Sequence, residues 1–343
     1  MNLPAPGSVL APADRSRSGR IPRTPEEFAA AVVRHTGWVV ARGLLPPQDV
    51  PRYQVFALHE LIGHSYPRAR GAELDLLLDI LGWFTILDDR FDGPTGHRPA
   101  EAHALIDPLL AVLPGPRSDL TAPDTAPDLP ALGLPAAAPV TAAPDTAPDS
   151  ALIAAWQDLW YRQAGPMTDS WRRRAAAEWR VCLTTFVTET RHRARGTLPD
   201  LSGTALLRRH ASCLYPFMNM LERVHGAGAP AQLHAEPSLH RLRAQTADAA
   251  TLINDLFSLE REERQSAAQF NMVMALQRTR GYRRDEAIAA VRTRVRRLQD
   301  DSDALRRQLV RRHPAGHWYL HGTRELVDGV YAWTSTSHRY HGH

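Results

Sequence analysis

The chain has 343 residues, 43% of them hydrophobic and 23% charged, with a net charge of +4. These are globular proportions, sufficient for one large domain or two small ones with a sizeable core. They leave no place for a membrane span, because no run of eighteen apolar residues occurs, or for a disulfide framework, because the only cysteines are Cys182 and Cys213. The first twenty residues lack the apolar centre of a secretory signal, so a soluble cytoplasmic protein is expected. Basic residues are dispersed among acidic neighbours without a recognition motif, so no nucleic-acid partner is expected. All 41 basic side chains are arginine, which removes any mechanism that needs a lysine.

Apolar positions recur with a helical period nearly everywhere, and no segment alternates as a strand would. Thr24, Pro25 and Glu27 read as an N-cap, an N1 proline and a capping-box glutamate opening a helix to about Gly43. A second helix is expected from Val50 to His64. A third, from Ala72 to about Asp89, carries the stripe Leu74, Leu77, Leu81 and Phe84, which runs directly into Asp88 and Asp92. Residues 114–149 change to proline, alanine, aspartate and threonine, with TAPDTAPD nearly repeated, and read as a disordered insertion. Helices resume at Ala151 to Gln163 and Asp169 to about Arg195. The next, Gly203 to Val224, contains Pro216, which should break or kink it at Tyr215. Further helices are expected over His240 to Glu263, Asp285 to Arg311 and Thr323 to Ala332. About ten helices without strands imply an all-α antiparallel bundle, a single domain over residues 23–340 between a disordered tail (1–22) and a short C-terminal tail (341–343).

Two acidic clusters about 165 residues apart suggest the chemistry. Asp88 and Asp92 stand at i and i+4 and share a helix face, as do Asn254, Ser258 and Glu262. Stacked oxygen ligands of this kind suit Mg²⁺, which takes one or two carboxylates and completes its shell with water and substrate phosphates. Asp89 lies about 100° round the helix from Asp88 and fits a salt-bridge partner better than a ligand. A diphosphate becomes a good leaving group when metal ions and arginine forks neutralise its charge.

With these motifs in view, the chain resembles the bacterial class I terpene synthases over about Pro25 to Tyr340, the insertion excepted. Trp83 and Phe84 precede the aspartates as aromatic residues do in that family, and Tyr66-Pro67 stands before the aspartate helix. The pattern N-D-x-x-S-x-x-x-E is met by Asn254, Asp255, Ser258 and Glu262, with a basic residue, Arg261, before the glutamate. A diphosphate-sensing arginine 46 positions before the asparagine falls on Arg208, and a C-terminal Arg-Tyr pair on Arg339 and Tyr340. The resemblance implies an α-helical bundle around a central apolar cavity. It also implies three Mg²⁺ ions, held by Asp88 and Asp92 on one side and by Asn254, Ser258 and Glu262 on the other. Arg208, Arg261, Arg339 and Tyr340 would grip the diphosphate of a prenyl substrate. The helix break after the sensor would present a backbone carbonyl at Ala211 and Ser212, and a homodimer is expected.

A carbocation formed in such a site must meet no nucleophile, so apolar and aromatic walls are required. The candidates are Trp83, Phe84, Phe186, Tyr215, Phe217, Phe257 and Trp333, although each aromatic taken singly is more often ordinary core. His313, His317 and His321 recur at i, i+4 and i+8 but lack a carboxylate or cysteine companion, which argues against zinc. The arginine-rich face at Arg292, Arg294, Arg296 and Arg297 reads as solvated. Farnesyl diphosphate is the favoured substrate, with geranylgeranyl diphosphate as the alternative. A prenyl chain-elongating synthase would use a second aspartate-rich motif and lysines, and neither is present. A catalytically silent helical protein that binds metal or an anion is the remaining reading.

Overall fold

The computed structural model describes residues 25–115, 147–264 and 270–340. Among them are fourteen α-helices and no strand: α1 (Pro25–Ala41), α2 (Val50–Gln54), α3 (Leu58–Ser65), α4 (Gly71–Asp92), α5 (Pro99–Val112), α6 (Ala147–Ala164), α7 (Asp169–Arg195), α8 (Leu201–Ala211), α9 (Leu214–His225), α10 (Ala231–His234), α11 (Pro237–Arg264), α12 (Met272–Arg280), α13 (Arg284–Arg312) and α14 (His317–Thr334). Thr24, the tails 1–22 and 341–343 and residues 116–146 of the expected insertion lie outside the described residues. Ala147 to Asp149, expected to belong to that insertion, form the first turn of α6.

Local chemistry sets most boundaries. Thr168 caps α7 by accepting from the Trp171 amide at 3.3 Å, and Gly196, in the left-handed region, closes it. Asp200 caps α8 through the Gly203 amide at 2.7 Å. Two expected helices are each divided. Val50 to His64 is broken at Ala57, whose φ of 50° ends one helix and starts another. The carbonyl of Phe56 freed at that break accepts from the Trp333 indole at 2.8 Å and the Ser337 hydroxyl at 3.1 Å, so it anchors the C-terminal segment. The second division falls at Ser212 and Cys213, with Cys213 at φ 59°, rather than at Tyr215. Pro216 is the third residue of α9, where no amide has an intrahelical acceptor and proline is tolerated.

Packing builds a ring of helices around a cavity. α4 is flanked by α1, α3 and α6, and α11 by α13, α14 and α8. Behind α4, Trp83 stacks on Trp156 of α6 at 4.6 Å and Trp179 of α7 meets Trp156 edge-on at 4.7 Å. All three rings are buried, and each indole N–H finds a partner: Leu152 O, Leu109 O and the Gln163 side chain. Trp83 is therefore part of the core and not of the cavity wall, correcting the expectation from its neighbour Phe84. One residue of displacement turns it about 100° away.

A second buried tie fixes α4 against α1. His35 bonds Asp79 and Tyr53 through its two ring nitrogens, both at 2.8 Å, and Arg162 adds a 2.8 Å contact to Asp79. Gly82 permits this approach, because a Cβ there would stand 2.5 Å from the His35 ring and closer still to the Tyr53 hydroxyl. Helix propensity alone would make Gly82→Ala stabilising by about 1 kcal/mol. The clash predicts the opposite, a loss of roughly 1–3 kcal/mol in denaturant unfolding; an unchanged or raised midpoint would show that the His35 contact is not tight.

Candidate active site

A cavity of about 220 Å³ lies between α4 and α11. Its polar end is lined by Asp88 and Asp92 from α4, by Asn254, Arg261 and Glu262 from α11, and by Arg208, Arg339 and Tyr340. The remaining wall is largely apolar, with Leu58, Ile62, Leu81, Leu214 and Val330 among its residues. The structure thus brings both acidic motifs and all four expected diphosphate contacts to one mouth. Ser258 is not among the lining residues; it is buried between Asn254 and Glu262, one helical turn from each.

Hydrogen bonds across this mouth join the two walls. Asn254 donates to the Tyr340 hydroxyl at 2.8 Å and accepts from Arg208 at 3.3 Å. Arg208 also pairs with the buried Asp255. Arg261 of α11 reaches Asp92 of α4 at 3.5 Å. Arg339 contacts Asp89 at 2.6 Å and Asp88 at 3.4 Å, its guanidinium lying 4.8 Å from the centre of the Phe56 ring. Asp89 is accordingly an arginine partner, as its helical offset suggests. It also stands close enough to Asp88 and Asp92 for ligand atoms of all three to lie within 4.8 Å of one another.

Enclosure alters the acid–base properties of these groups. Desolvation raises the Asp88 carboxyl, with Arg339 opposing. Desolvation and the neighbouring Asp88 charge push Asp92 to about 6. Asp255 is raised to about 6 by burial, against the pull of Arg208. Burial disfavours the Arg208 charge, but Asp255, Glu262 and Glu189 outweigh it and hold the guanidinium above its ordinary range. Guanidinium groups thus stand beside carboxyls whose ionisation burial makes costlier.

The residues fit Mg²⁺. Every candidate donor is an oxygen: Asp88 and Asp92 on α4, Asn254, Ser258 and Glu262 on α11. The buried Ser258 hydroxyl has no hydrogen-bond partner within the protein, as expected of a side chain whose partner is an exogenous ligand.

Among the aromatic candidates, Phe84, Phe186, Phe217 and Trp333 line the cavity, as do Ala211 and Ser212 at the helix break. Phe84 and Phe186 rings stand 6.0 Å apart, and Trp333 meets Tyr340 edge-on at 5.4 Å. Tyr215 and Phe257, expected in the wall, are not among the lining residues. Tyr215 stacks on His210 at 5.5 Å beneath Arg243, and Phe257 packs on Tyr331 of α14 at 6.0 Å. Sequence reasoning did not single out Glu189, Arg193, Phe270 and Asn271, all of which line the cavity. Glu189 and Arg193 form an i, i+4 ion pair at 3.2 Å beginning one turn after Phe186, a signal that could have placed both. The histidines 313, 317 and 321 do not converge: His313 bonds Glu236, whereas His317 bonds the Pro314 carbonyl.

The family model described as terpene synthase family 2, C-terminal metal binding, matches residues 79–301, which include both acidic motifs. The chain belongs to this terpene synthase family. It is a bacterial-type class I terpene synthase, a lyase acting on prenyl diphosphates. It is 30% identical to pentalenene synthase of Streptomyces avermitilis over 93% of this chain and 90% of that protein. A (-)-beta-caryophyllene synthase of Saccharothrix espanaensis, named as (2E,6E)-farnesyl diphosphate cyclizing, is 29% identical over 77% of this chain and 69% of that protein. Among solved structures, linalool/nerolidol synthase of Streptomyces clavuligerus in complex with 2-fluorogeranyl diphosphate superposes with a TM-score of 0.72. That match has 26% identity and spans 91% of this chain and all of the other. No helix among the described residues of this terpene synthase is long and apolar enough to cross a membrane.

Because Asp92 must be ionised to act as a ligand, divalent-cation binding to this terpene synthase should weaken as pH falls through about 6. Calorimetric titration with Mg²⁺ and inorganic diphosphate at pH about 7.5 and about 5.5 checks this, the lower pH giving the weaker binding. Equal affinities would show that Asp92 carries no metal.

Proposed function

We propose that this terpene synthase uses Mg²⁺ to ionise farnesyl diphosphate and cyclises the resulting cation to a sesquiterpene. The observation that carries the reading is the composition of one cavity: two oxygen-donor walls and a set of arginines at its mouth, with a hydrocarbon wall beyond. Asp88 and Asp92, together with Asn254, Ser258 and Glu262, would hold the ions, three in number by resemblance to the family. Bound Mg²⁺ supplies Lewis-acid neutralisation of the diphosphate charge.

The protein's own groups then divide the remaining work. Arg208, Arg261 and Arg339 offer guanidinium donors to the diphosphate, and Tyr340 its hydroxyl. As the carbon–oxygen bond breaks, its electron pair leaves with the diphosphate and an allylic cation remains in the cavity. Phe84, Phe186, Phe217 and Trp333 present ring faces or edges to that space, and face-on approach stabilises positive charge through the ring quadrupole. Three hydroxyls along the wall are turned toward helix carbonyls: Thr85 to Leu81, Thr251 to Ala247 and Tyr66 to Phe217. Their protons are thereby engaged, which leaves the hydrocarbon region poor in donors that would anchor water.

Volume and similarity support this chain length. About 220 Å³ is below the roughly 300–1,000 Å³ usual for small-molecule pockets, which favours a fifteen-carbon chain over geranylgeranyl diphosphate. The caryophyllene synthase relative is named for farnesyl diphosphate. The linalool/nerolidol synthase, bound to a geranyl analogue, supports a ten-carbon substrate as the second reading. A chain-elongating activity is disfavoured by the second motif and by the absence of lysine.

Incubation of the purified protein with C10, C15 and C20 diphosphates and Mg²⁺, followed by gas chromatography, tests the assignment. A cyclic C15 product with free diphosphate is expected; a longer prenyl diphosphate, or no turnover of any of the three, would refute it. Asn254→Ala and Asp88→Ala should each lower turnover by at least about 100-fold, a loss comparable to that of a transition-state charge contact. Far-ultraviolet circular dichroism should be unchanged, and normal activity in either variant would remove that residue from the site.

A further inference from the structure

Asn271 belongs to none of the motifs that mark the site, yet its side-chain amide donates only to the α11 wall. It is 1% exposed and lines the cavity. Its Nδ2 donates to Glu262 Oε2 at 2.9 Å and to the Asp255 carbonyl, also at 2.9 Å, while its Oδ1 caps α12 by accepting from the Val273 amide at 2.9 Å. One residue further on, the Met272 amide donates to Asp255 Oδ2 at 2.9 Å, and the other oxygen of that carboxylate pairs with Arg208. The start of α12 is therefore bonded to a metal-ligand carboxylate through Asn271 and to the diphosphate-facing arginine through Asp255.

We propose that Asn271 is a positioning residue for metal binding, fixing the rotamer of Glu262 so that one carboxylate oxygen is held by the amide and the other is directed to the cation. The inference rests on the metal site under the reading above and adds to it a residue outside the N-D-x-x-S-x-x-x-E pattern. A carboxylate at the end of three rotatable bonds does not select one orientation unaided, and freezing it on metal binding costs side-chain entropy. A neutral amide donor removes that cost without the competing positive charge an arginine would bring. Outer partners of this kind typically change metal affinity 10- to 100-fold when removed. The N-cap bond locks the amide itself, because Oδ1 must face the Val273 amide and Nδ2 is thereby turned toward Glu262.

Two substitutions separate this role from capping. Asn271→Asp keeps the cap acceptor and the shape but places an oxygen against Glu262, and Asn271→Ser keeps a cap acceptor too short to reach it. In calorimetric titration of the full-length protein with Mg²⁺ in the presence of inorganic diphosphate, both should bind Mg²⁺ roughly 10- to 100-fold more weakly than the wild type. Thermal unfolding without metal should show both variants folded, Asn271→Asp melting below Asn271→Ser because its carboxylate faces Glu262, and raised Mg²⁺ should restore product formation. Wild-type Mg²⁺ affinity in either folded variant would overturn the proposal. Failure of both variants to fold would overturn it too, by making Asn271 a structural residue. If the wild type itself bound no Mg²⁺, the metal reading would fall first and this inference with it, a result distinct from a defect confined to the variants.

Discussion

Concentrating carboxylates at the mouth of an apolar cavity is unfavourable, and the rest of this structure is arranged around that cost. Asp88, Asp89 and Asp92 crowd one helix end, where desolvation and mutual repulsion raise the Asp88 and Asp92 carboxyls. The opposite wall buries Asp255 and Glu262. Arginine cations offset both: Arg339 and Arg261 pair with the carboxylates of the first wall, Arg208 with Asp255 of the second. Because guanidinium groups stay charged at any working pH, the balance holds while carboxylates titrate, and the same forks match the geometry of a diphosphate. Under the proposed function, one set of groups would serve both the stability of the protein and the grip on its substrate.

The fold supplies what such an arrangement needs, which is rigid placement of distant segments. α4 is held from behind by the tryptophan cluster and by the His35, Asp79 and Tyr53 bonds. Arg339 and Tyr340 come from beyond the last helix, where Ser337 and Trp333 fasten the chain to the Phe56 carbonyl exposed between α2 and α3. The break at Ser212 and Cys213 lets α8 end beside the cavity with Arg208 one turn before it. Local irregularities at Ala57 and Cys213, the only non-glycine residues with positive φ among those described, therefore both serve the site.

Much of this was legible in the amino-acid sequence because it depends on helical period. The shared faces of Asp88 with Asp92, and of Asn254, Ser258 and Glu262, follow from spacing alone, and the apolar stripe of α4 aims the first pair at the cavity. Resemblance to a family brought Arg208, Arg339 and Tyr340 to the same place, which spacing could not do. Less was legible where tertiary packing decides. Trp83 faces the core and Phe84 the cavity though they are neighbours, and nothing in the sequence separated Phe217, which lines the wall, from Tyr215, which stacks on His210. Pro216 announced a break without locating it, since proline fits the first turn of a helix as well as the end of one. Asn271 was invisible for another reason: it acts through burial and through Glu262 and Asp255, nine and sixteen residues before it, and neither has a periodic signature.

The central claim is that the α4 and α11 walls bind one diphosphate between them through shared Mg²⁺. A crystal structure of the protein grown with Mg²⁺ and inorganic diphosphate tests it most directly. The account predicts cation density bonded to Asp88 on one side and to Asn254, Ser258 and Glu262 on the other, with the diphosphate bridging them and contacting Arg208 and Arg339. Diphosphate bound elsewhere, or bound here with the Asn254, Ser258 and Glu262 oxygens coordinating no ion, would contradict it.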